Sequence, residues 1–411
     1  MFRSLSFYVL LALVFGLAGG ALIEAEGSVW MRQAAEGLGA VGGLWLNALR
    51  MTVVPLVFSL LVTGVASVAD AASAGKLTAR ALGLFSILLV FAALYSLTFT
   101  SALLHWWPVD AAAAAKIREA GQTGVVTAPP PDFGAWIQAL APSNPFQAAA
   151  SDAILPLTVF ALFFAFAATR LAPPMRDTIV GFFRAVGEAM IVVVHWVLLA
   201  GPVGVFALAL GVGARAGLAA AGTLAHYIAI AVIVTFGITL IAFVLAVTFG
   251  RVSIPRFTAA ATPVWAIAFS TQSSLASTPA MLEASRRMGV AERVTDLILP
   301  LAVAIFRFTS PVTNLVVVLF CAHIFGITLG PQQYLAGVVV SFAASIAAVG
   351  LPGQVSFITS IAPICLAMGV PLDLLGVLLA VEVLPDIFRT LGNVTGDLAV
   401  TTMLNRRERA D

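Results

Sequence analysis

The chain has 411 residues, of which 61% are hydrophobic and 10% are charged, and its mean hydropathy is +1.06. Because soluble globular domains carry about 25% charged residues, this composition excludes an ordinary soluble protein and predicts a polytopic membrane protein. The formal net charge of +2, with arginines dispersed along the chain, argues against a nucleic-acid partner.

The first half of the chain predicts six membrane-spanning helices. The apolar stretch at the N-terminus covers about 20 residues, the length of a bilayer crossing, and is interpreted as a spanning helix, not a signal peptide. The other five predicted spans are 44–68, 81–106, 154–171, 190–214 and 226–250. A Gly/Ala-rich break precedes the second span, and Pro55 should kink or break that span in its middle. Residues 108–145 are polar and predict a long external loop.

From residue 258 onward, the apolar segments carry clusters of Ser, Thr, Gly and Pro in their middles. Two of them predict re-entrant helical hairpins, at about 258–290 and 335–370, because polar tips are tolerated at membrane depth only against protein or a cavity. A spanning helix follows each hairpin, at about 295–326, interrupted at Arg307 to Pro311, and at about 374–405. Two broken half-spans in corresponding places predict a transporter binding site between inverted repeats, although close helix packing is the alternative.

The predicted fold is therefore an all-α polytopic membrane protein with eight transmembrane helices plus two re-entrant helical hairpins. Alternate loops are rich in arginine, which predicts that the N- and C-termini are both cytoplasmic. The expected location is the inner (plasma) membrane, as a multi-pass protein in contact with the lipid bilayer.

The last predicted helix carries the polar groups on which the functional hypothesis depends. Measured from Asp386, its partners fall at +3, +4, +7 and +11, so all of them share one helical face: Arg389, Thr390, Asn393 and Asp397. Ionisable groups at membrane depth cost roughly 2.5 to 3.5 kcal/mol each, so they should face a protein interior or a wet cavity and carry function. A structural Asp–Arg ion pair is the alternative, but a pair requires only two of these groups. The planar fork of Arg389 suits a carboxylate, which indicates an acidic ligand.

Short motifs along the chain carry a family resemblance. Four are apolar: MTVVPLVF at 51–58, NPF at 144–146, LPLTVFALFF at 155–164 and GPVGVFALA at 201–209. Three are polar: STQSSLASTP, GLPGQ and DIFRTLGNVTGD. They resemble, respectively, the scaffold signatures and the two hairpin tips with the last helix of the dicarboxylate/amino acid:cation symporter family, which includes the glutamate transporters.

The resemblance implies a secondary active transporter, not an enzyme, built as a homotrimer in which a rigid scaffold holds a moving transport domain, an elevator. Its implied domains are scaffold helices 1 and 2 at 1–75, transport-domain helix 3 at 76–108, an external loop with scaffold helices 4 and 5 at 109–222, and the remaining transport domain at 223–411.

The resemblance also assigns substrate roles residue by residue. Arg389 matches the arginine that holds the side-chain carboxylate, and Asp386 matches the residue that binds the α-amino group. The remaining implied substrate-binding residues are Ser273, Ser274, Ser310, Gly353, Val355, Thr390 and Asn393, with Gly350 to Val355 as the gate. Asp386 argues for aspartate or glutamate over a C4-dicarboxylate, because a second anion would repel a carboxylate there. A C4-dicarboxylate:cation symporter and a conventional sodium-coupled amino acid symporter are the alternatives.

The cation sites depart from the family pattern. Sodium-coupled members carry Asn-Met-Asp-Gly-Thr where this chain has Phe306 to Ser310, and phenylalanine cannot coordinate a hard cation, so one sodium site should be absent. Asn393 and Asp397 match ligands of another sodium site and imply that a residual one is retained. Arg307 either acts as a tethered cation that neutralises Asp397 or Asp386, so that binding needs less sodium or none, or it extends into the aqueous cavity.

If sodium does not drive uptake, protons are the expected substitute, with Glu382 or Asp386 as the carrier. No cofactor is expected apart from a coupling ion, sodium or proton.

Two other function classes are disfavoured. An intramembrane aspartyl protease needs a close pair of aspartates, but Asp386 and Asp397 lie roughly 16 Å apart along one helix. A channel needs rings of filter residues, which the hairpin tips do not resemble.

Overall fold

A computed structural model of the chain describes residues 5–26, 29–73, 75–120, 133–217, 219–347 and 353–408. Within these ranges every regular element is a helix, which confirms the all-α class. The first eleven helices are α1 (Leu5–Glu26), α2 (Val29–Arg50), α3 (Val53–Ser73), α4 (Lys76–Trp106), α5 (Ala111–Ala120), α6 (Phe133–Ala139), α7 (Pro145–Ala150), α8 (Ile154–Ala168), α9 (Pro173–Leu199), α10 (Gly201–Ala216) and α11 (Ala219–Thr248). The remaining eight are α12 (Ile254–Thr271), α13 (Thr278–Arg287), α14 (Glu292–Ile305), α15 (Ser310–Phe325), α16 (Pro331–Ala347), α17 (Gly353–Met368), α18 (Leu375–Val381) and α19 (Val383–Glu408).

Several helical segments are long and apolar enough to cross a membrane. By length and composition, the described part of the chain contains six: Phe7–Glu26, Val29–Ser73, Lys76–Trp106, Pro173–Leu199, Ala219–Thr248 and Glu292–Phe325. Three apolar helical segments are shorter: Ile154–Ala168, Gly201–Arg215 and Ser356–Met368. Large apolar side chains such as Trp106, Phe163 and Trp196 are exposed on these helices, as expected of surfaces that face lipid. These features agree with the prediction of a multi-pass membrane protein.

Prolines determine where several helices begin. The predicted span at 44–68 is divided, since α2 ends at Arg50 and α3 begins at Val53, just before Pro55. The predicted span at 190–214 is divided in the same way between α9 and α10, before Pro202. Both divisions follow from the ring of proline, which removes a backbone donor and clashes with the carbonyl four residues earlier. The break predicted from Pro55 in the span at 44–68 is thus present, whereas the prediction of a single continuous helix at 190–214 was wrong.

Two segments predicted as non-helical contain helices, although residues 121–132 of the second lie outside the described residues. The Gly/Ala-rich break before residue 44 lies within α2, where a Cβ added at Gly42 would stand 2.8 Å from the Leu208 side chain of α10. Gly42 therefore allows close packing of two helices, and the glycines of this segment do not end α2. The external loop predicted at 108–145 contains α5 and α6, and α5 begins in a run of alanines, the strongest helix formers.

The candidate site lies where α19 crosses the packed centre of the molecule. This helix contacts α11, α12 and α14 extensively, and α15 fills the space between α4, α11 and α17. Nearly every residue of α15 is buried. The predicted helix at 374–405 is interrupted at Glu382, between α18 and α19, because Pro385 excludes a normal helical bond to Val381, four residues earlier. The interruption places Glu382 at the start of the polar face of α19.

Candidate functional site

The helix interruption predicted at Arg307 to Pro311 is present. Helix α14 ends at Ile305 and α15 begins at Ser310, with Pro311 in its first turn. Pro311 cannot bond back to Arg307, four residues earlier, so the chain cannot run through this point as a regular helix. Arg307 has φ of 30°, an unusual backbone conformation for a residue with a side chain. The break exposes backbone and side-chain groups of Phe306 to Thr309 to the facing helix.

Two glycines on α19 allow this helix to lie directly against the break. A Cβ added at Gly392 would stand 2.4 Å from Thr309 Cγ2, and one added at Gly396 would stand 2.9 Å from Phe308 Cβ. Real Cβ atoms do not approach so closely, so any side chain at either position would push the break away. The spacing of four residues between small residues, present as GNVTG, is the known signal for close helix approach in membranes, and the sequence interpretation did not use it.

Asn393 is fixed by Thr309 from the break. The Thr309 backbone N–H donates to Asn393 Oδ1 at 2.9 Å, and the Thr309 hydroxyl lies 2.8 Å from that oxygen and 2.8 Å from the Arg389 carbonyl. Because a backbone N–H only donates, the contacted atom must be the amide oxygen, which leaves the NH₂ group of Asn393 for other partners. An NH₂ group donates hydrogen bonds. The Asn393 side chain can therefore donate to a ligand carboxylate.

Arg389 lies in a buried network with two carboxylates. Its Nη2 pairs with Glu382 Oε1, its Nη1 with Asp386 Oδ1 at 3.3 Å, and its Nε donates to Thr313 Oγ1 at 2.8 Å. The second Glu382 oxygen accepts a bond from the Tyr227 hydroxyl at 3.0 Å. Glu382, Asp386 and Arg389 are all buried. Two anions thus share one cation, so only one of the two carboxylates is neutralised by it.

The sequence predicted that Asp386 shares a helix face with Arg389, and it named Glu382 only as a possible proton carrier. It missed Tyr227 and Thr313. Both come from helices distant in the chain, α11 and α15, so helical periodicity within α19 carries no information on them. The hydroxyl of Thr390 donates to the Asp386 backbone carbonyl at 2.9 Å, a bond within its own helix. Ser310 is buried at the start of α15, beside the network.

Asp397 and Arg307 occupy the other side of the break. Asp397 is 1% exposed, and its Oδ1 accepts no hydrogen bond. Arg307 lies within electrostatic range of Asp386, Arg389 and Asp397, and its Nη2 donates to Ser356 Oγ of α17 at 3.2 Å. Ser356 was not among the predicted site residues. This hydrogen bond connects the break between α14 and α15 to α17, which belongs to the second predicted hairpin.

Two phenylalanines occupy the positions where the resemblance places sodium ligands. The ring of Phe306 stacks on Phe85 of α4 at 4.7 Å between centroids, and on Phe308 at 5.4 Å. Both Phe306 and Phe308 are fully buried. Stacked aromatic rings replace the oxygen ligands that a hard cation requires, so this place is apolar.

The first predicted hairpin tip reaches the start of α19. Ser273 and Ser274 lie in the turn between α12 and α13, where Ser273 Oγ accepts a bond from the Ala276 N–H at 3.2 Å. Gln272, at φ of 52°, ends α12 and donates from Nε2 to the Val383 carbonyl at 3.4 Å. That contact brings the tip next to Glu382.

The second predicted tip is described only in part. Gly350 lies outside the described residues, and for Gly353 and Val355 only the helical backbone at the start of α17 is described.

Among the side chains that the structure describes, no group of three or more His, Cys, Asp or Glu residues has an arrangement that could hold a metal ion. Asp397 remains a single carboxylate with an unsatisfied oxygen.

Comparison with known proteins places this architecture in a family. Residues 5–407 match the model of the sodium:dicarboxylate symporter family. A proton/glutamate-aspartate symporter of Escherichia coli is 26% identical, with 98% of this chain and 93% of that protein covered. A proton/sodium-glutamate symport protein of Bacillus subtilis is 25% identical over 90% of this chain and 85% of its own length. A C4-dicarboxylate transport protein of Cupriavidus taiwanensis is 28% identical over the same two shares, 90% and 85%. Because the family match extends over nearly the whole chain, the protein belongs to the sodium:dicarboxylate symporter family.

Proposed function

We propose that this protein is a secondary active transporter that imports an acidic amino acid, aspartate or glutamate, with reduced or no dependence on sodium. The observation that carries the proposal is the buried contact between Arg389 and Asp386 on one face of α19. The guanidinium suits the side-chain carboxylate of the substrate, and the carboxylate suits its ammonium group. A C4-dicarboxylate offers a second anion in place of the ammonium, and Asp386 would repel it.

The charges of the site support a zwitterionic substrate. Three carboxylates, Glu382, Asp386 and Asp397, face two guanidinium groups, Arg307 and Arg389, so the fully ionised site carries a net charge of −1. A C4-dicarboxylate would add two negative charges to a site that is already negative. Aspartate or glutamate adds only one, and it places a positive group beside Asp386. Buried charges without partners are costly, so the amino acid is the better fit.

Substrate binding also gives a reason for proton coupling. When the side-chain carboxylate of the substrate binds Arg389, Glu382 and Asp386 lose the guanidinium group that they share. The ammonium group of the substrate then neutralises Asp386, but nothing neutralises Glu382. We expect Glu382 to take up a proton at that point, because a buried carboxylate without a cation is unstable. Tyr227, which donates to Glu382, would hold the protonated group in place.

Arg307 is the proposed substitute for a sodium ion. Its charge acts on Asp386 and Asp397 through space, and its hydrogen bond to Ser356 holds it at the second hairpin. The stacked rings of Phe306 and Phe308 fill the place of the missing sodium site. A residual sodium site at Asn393 and Asp397 is the alternative, because Oδ1 of Asp397 has no hydrogen-bond partner.

We further propose the assembly and orientation that the family resemblance implies. The chain would form a homotrimer in the inner (plasma) membrane, with both termini cytoplasmic. Its eight transmembrane helices and two re-entrant hairpins would be divided into a scaffold at 1–75 and 109–222 and a moving elevator domain at 76–108 and 223–411. Both hairpin tips would then belong to the moving part, with Ser273 and Ser274 on the α-carboxylate and Gly353 and Val355 in the gate.

Competition between substrates tests the proposed specificity. Purified protein in liposomes should take up labelled aspartate, and excess unlabelled glutamate or aspartate should abolish that uptake. Excess succinate or malate should leave most of the uptake intact. Equal competition by succinate would show that the protein is a C4-dicarboxylate transporter.

A further inference from the structure

A basic cavity lies at one end of the bundle, far along α19 from Asp386. It has a volume of about 360 Å³ and is formed by the end of α11, the start of α12, the turn after α13 and the end of α19. Three arginines line it: Arg251, Arg256 and Arg406. None of its lining residues that the structure describes is acidic. The cavity therefore carries positive charge that the proposed transport mechanism does not use.

Two of these arginines are held in place by uncharged groups. Arg256 Nε donates to the Arg287 carbonyl at 2.9 Å, and Arg406 Nη1 donates to the Phe249 carbonyl at 3.1 Å. Such bonds fix each guanidinium without neutralising it, and its remaining N–H groups stay available. Arg256 also lies against the backbone of Gly289, where an added Cβ would stand 3.1 Å from its Nη2. The two groups are thus positioned and still charged.

Further hydrogen-bond donors line the same cavity. Asn405 accepts the Ala291 N–H at its Oδ1, at 2.9 Å, so its NH₂ group is left as a donor. Ser253 stands at the N-cap of α12, and its hydroxyl makes no capping bond to that helix. Arg251 holds φ of 52°, a conformation that favours glycine, so an arginine here has a conformational cost. Donors and positive charge in one cavity fit a phosphate group.

Exposed apolar side chains lie on α11, the helix that leads into the loop lining the cavity. Phe236, Leu240 and Val244 are exposed along one side of α11 at intervals of four residues, which places them in a row. Phe249 and Ile254, on either side of the loop that bears Arg251, are exposed as well. A free phosphate ion would not contact this apolar row, whereas the acyl chain of a lipid would pack along it. A phospholipid therefore matches both the basic cavity and the apolar row better than a free phosphate ion does.

We propose that this cavity binds the headgroup of an anionic phospholipid, with an acyl chain along the exposed side of α11. The charge of the cavity selects an anionic headgroup over a zwitterionic one, since basic residues near a membrane surface attract anionic lipids. The site lies apart from Asp386 and Arg389, and it is independent of which solute the protein carries.

The test uses native mass spectrometry of the full-length protein in detergent, titrated with dioleoyl-phosphatidylglycerol or dioleoyl-phosphatidylcholine. The wild-type protein should bind phosphatidylglycerol at least about tenfold more tightly than phosphatidylcholine, because each arginine is expected to contribute about fivefold to the affinity for an anionic headgroup. Arg251→Gly should weaken that binding about fivefold and keep the fold, because glycine suits the local backbone. Combining it with Arg256→Gln and Arg406→Gln should weaken binding on the order of a hundredfold.

Arg184→Gln serves as the matched control, because Arg184 is exposed on α9 outside the cavity, and it should leave lipid binding unchanged. Equal binding of the two lipids, or unchanged binding in Arg251→Gly, would overturn the proposal. Displacement of phosphatidylglycerol by millimolar inorganic phosphate would also overturn it, because the cavity would then recognise the free anion.

Discussion

Arg389 is the residue on which the proposed substrate site depends. Its fork is shared between Glu382 and Asp386, so two buried carboxylates depend on one guanidinium group. Sequence periodicity predicted that Asp386 and Arg389 share a face, but it did not identify Glu382 as a partner of Arg389. It did not predict Tyr227, Thr309 or Thr313, because those contacts join helices distant in the chain. Local spacing determines a helix face, whereas the partners across it depend on tertiary packing.

Asp386→Asn tests the ammonium-binding role. The amide keeps the shape of the side chain but loses the charge, and a hydrogen bond to a charged group is worth about 1.5 to 3 kcal/mol, so aspartate should bind about ten- to a hundredfold more weakly. Competition by succinate should become stronger, because the repulsive carboxylate is gone. Binding of labelled aspartate to the purified variant measures the first effect, and competition measures the second. Asp177→Asn, the same change at an exposed position, is the control, and unchanged aspartate binding in Asp386→Asn would exclude the assigned role.

Glu382→Gln tests the proton-carrying role. Glutamine is neutral throughout the cycle, so the variant should still take up aspartate but should no longer move a proton with it. A pH-sensitive dye inside the liposomes measures the proton. The wild-type protein and the exposed control Glu188→Gln should both acidify the interior during uptake. Acidification that persists in Glu382→Gln would assign the proton to another group.

At the scale of elements, the contact between α19 and the break of α14 and α15 organises the site. Gly392 and Gly396 bring the two within van der Waals distance, so that Thr309 reaches Asn393. The break itself was predictable, because Pro311 removes the helical bond to Arg307. The approach of α19 was not predicted, since its glycines were not interpreted as a packing motif. For the same reason, the glycine-rich segment before residue 44 was predicted as a break. It lies within α2, where Gly42 packs against Leu208.

Gly396→Ala tests this packing. Its added methyl group would stand 2.9 Å from Phe308 Cβ, and overpacking of a core costs about 1 to 3 kcal/mol, so the midpoint of thermal unfolding should fall. Aspartate uptake should fall with it, because Asn393 moves relative to Thr309. Gly181→Ala on α9 is the control, since its added Cβ would meet nothing within 4 Å. An unchanged midpoint in Gly396→Ala would show that the two elements are not tightly packed.

At the scale of the whole molecule, composition alone predicted a membrane protein with helical spans. The break near Pro55 was predicted from the proline itself, whereas the divisions near Pro202 and Pro385 were not, because those segments were interpreted as single spans. The assembly depends on surfaces that a single chain cannot reveal. Exposed apolar side chains on α1, α2 and α9 are available to lipid and to other copies of the chain.

The proposed homotrimer predicts a defined mass. Light scattering of the purified protein, corrected for detergent, should give three times the chain mass of 42.6 kDa. A mass equal to one or two chains would contradict the proposed assembly. This measurement is independent of the substrate and of the coupling ion.

The central claim is that an acidic amino acid is carried with little or no sodium because Arg307 supplies the missing charge. The most direct test is uptake of labelled aspartate into liposomes in sodium-free choline buffer. The wild-type protein should retain most of its uptake there, whereas Arg307→Met should lose it and regain part of it when sodium is added. Complete loss of wild-type uptake without sodium would contradict the account.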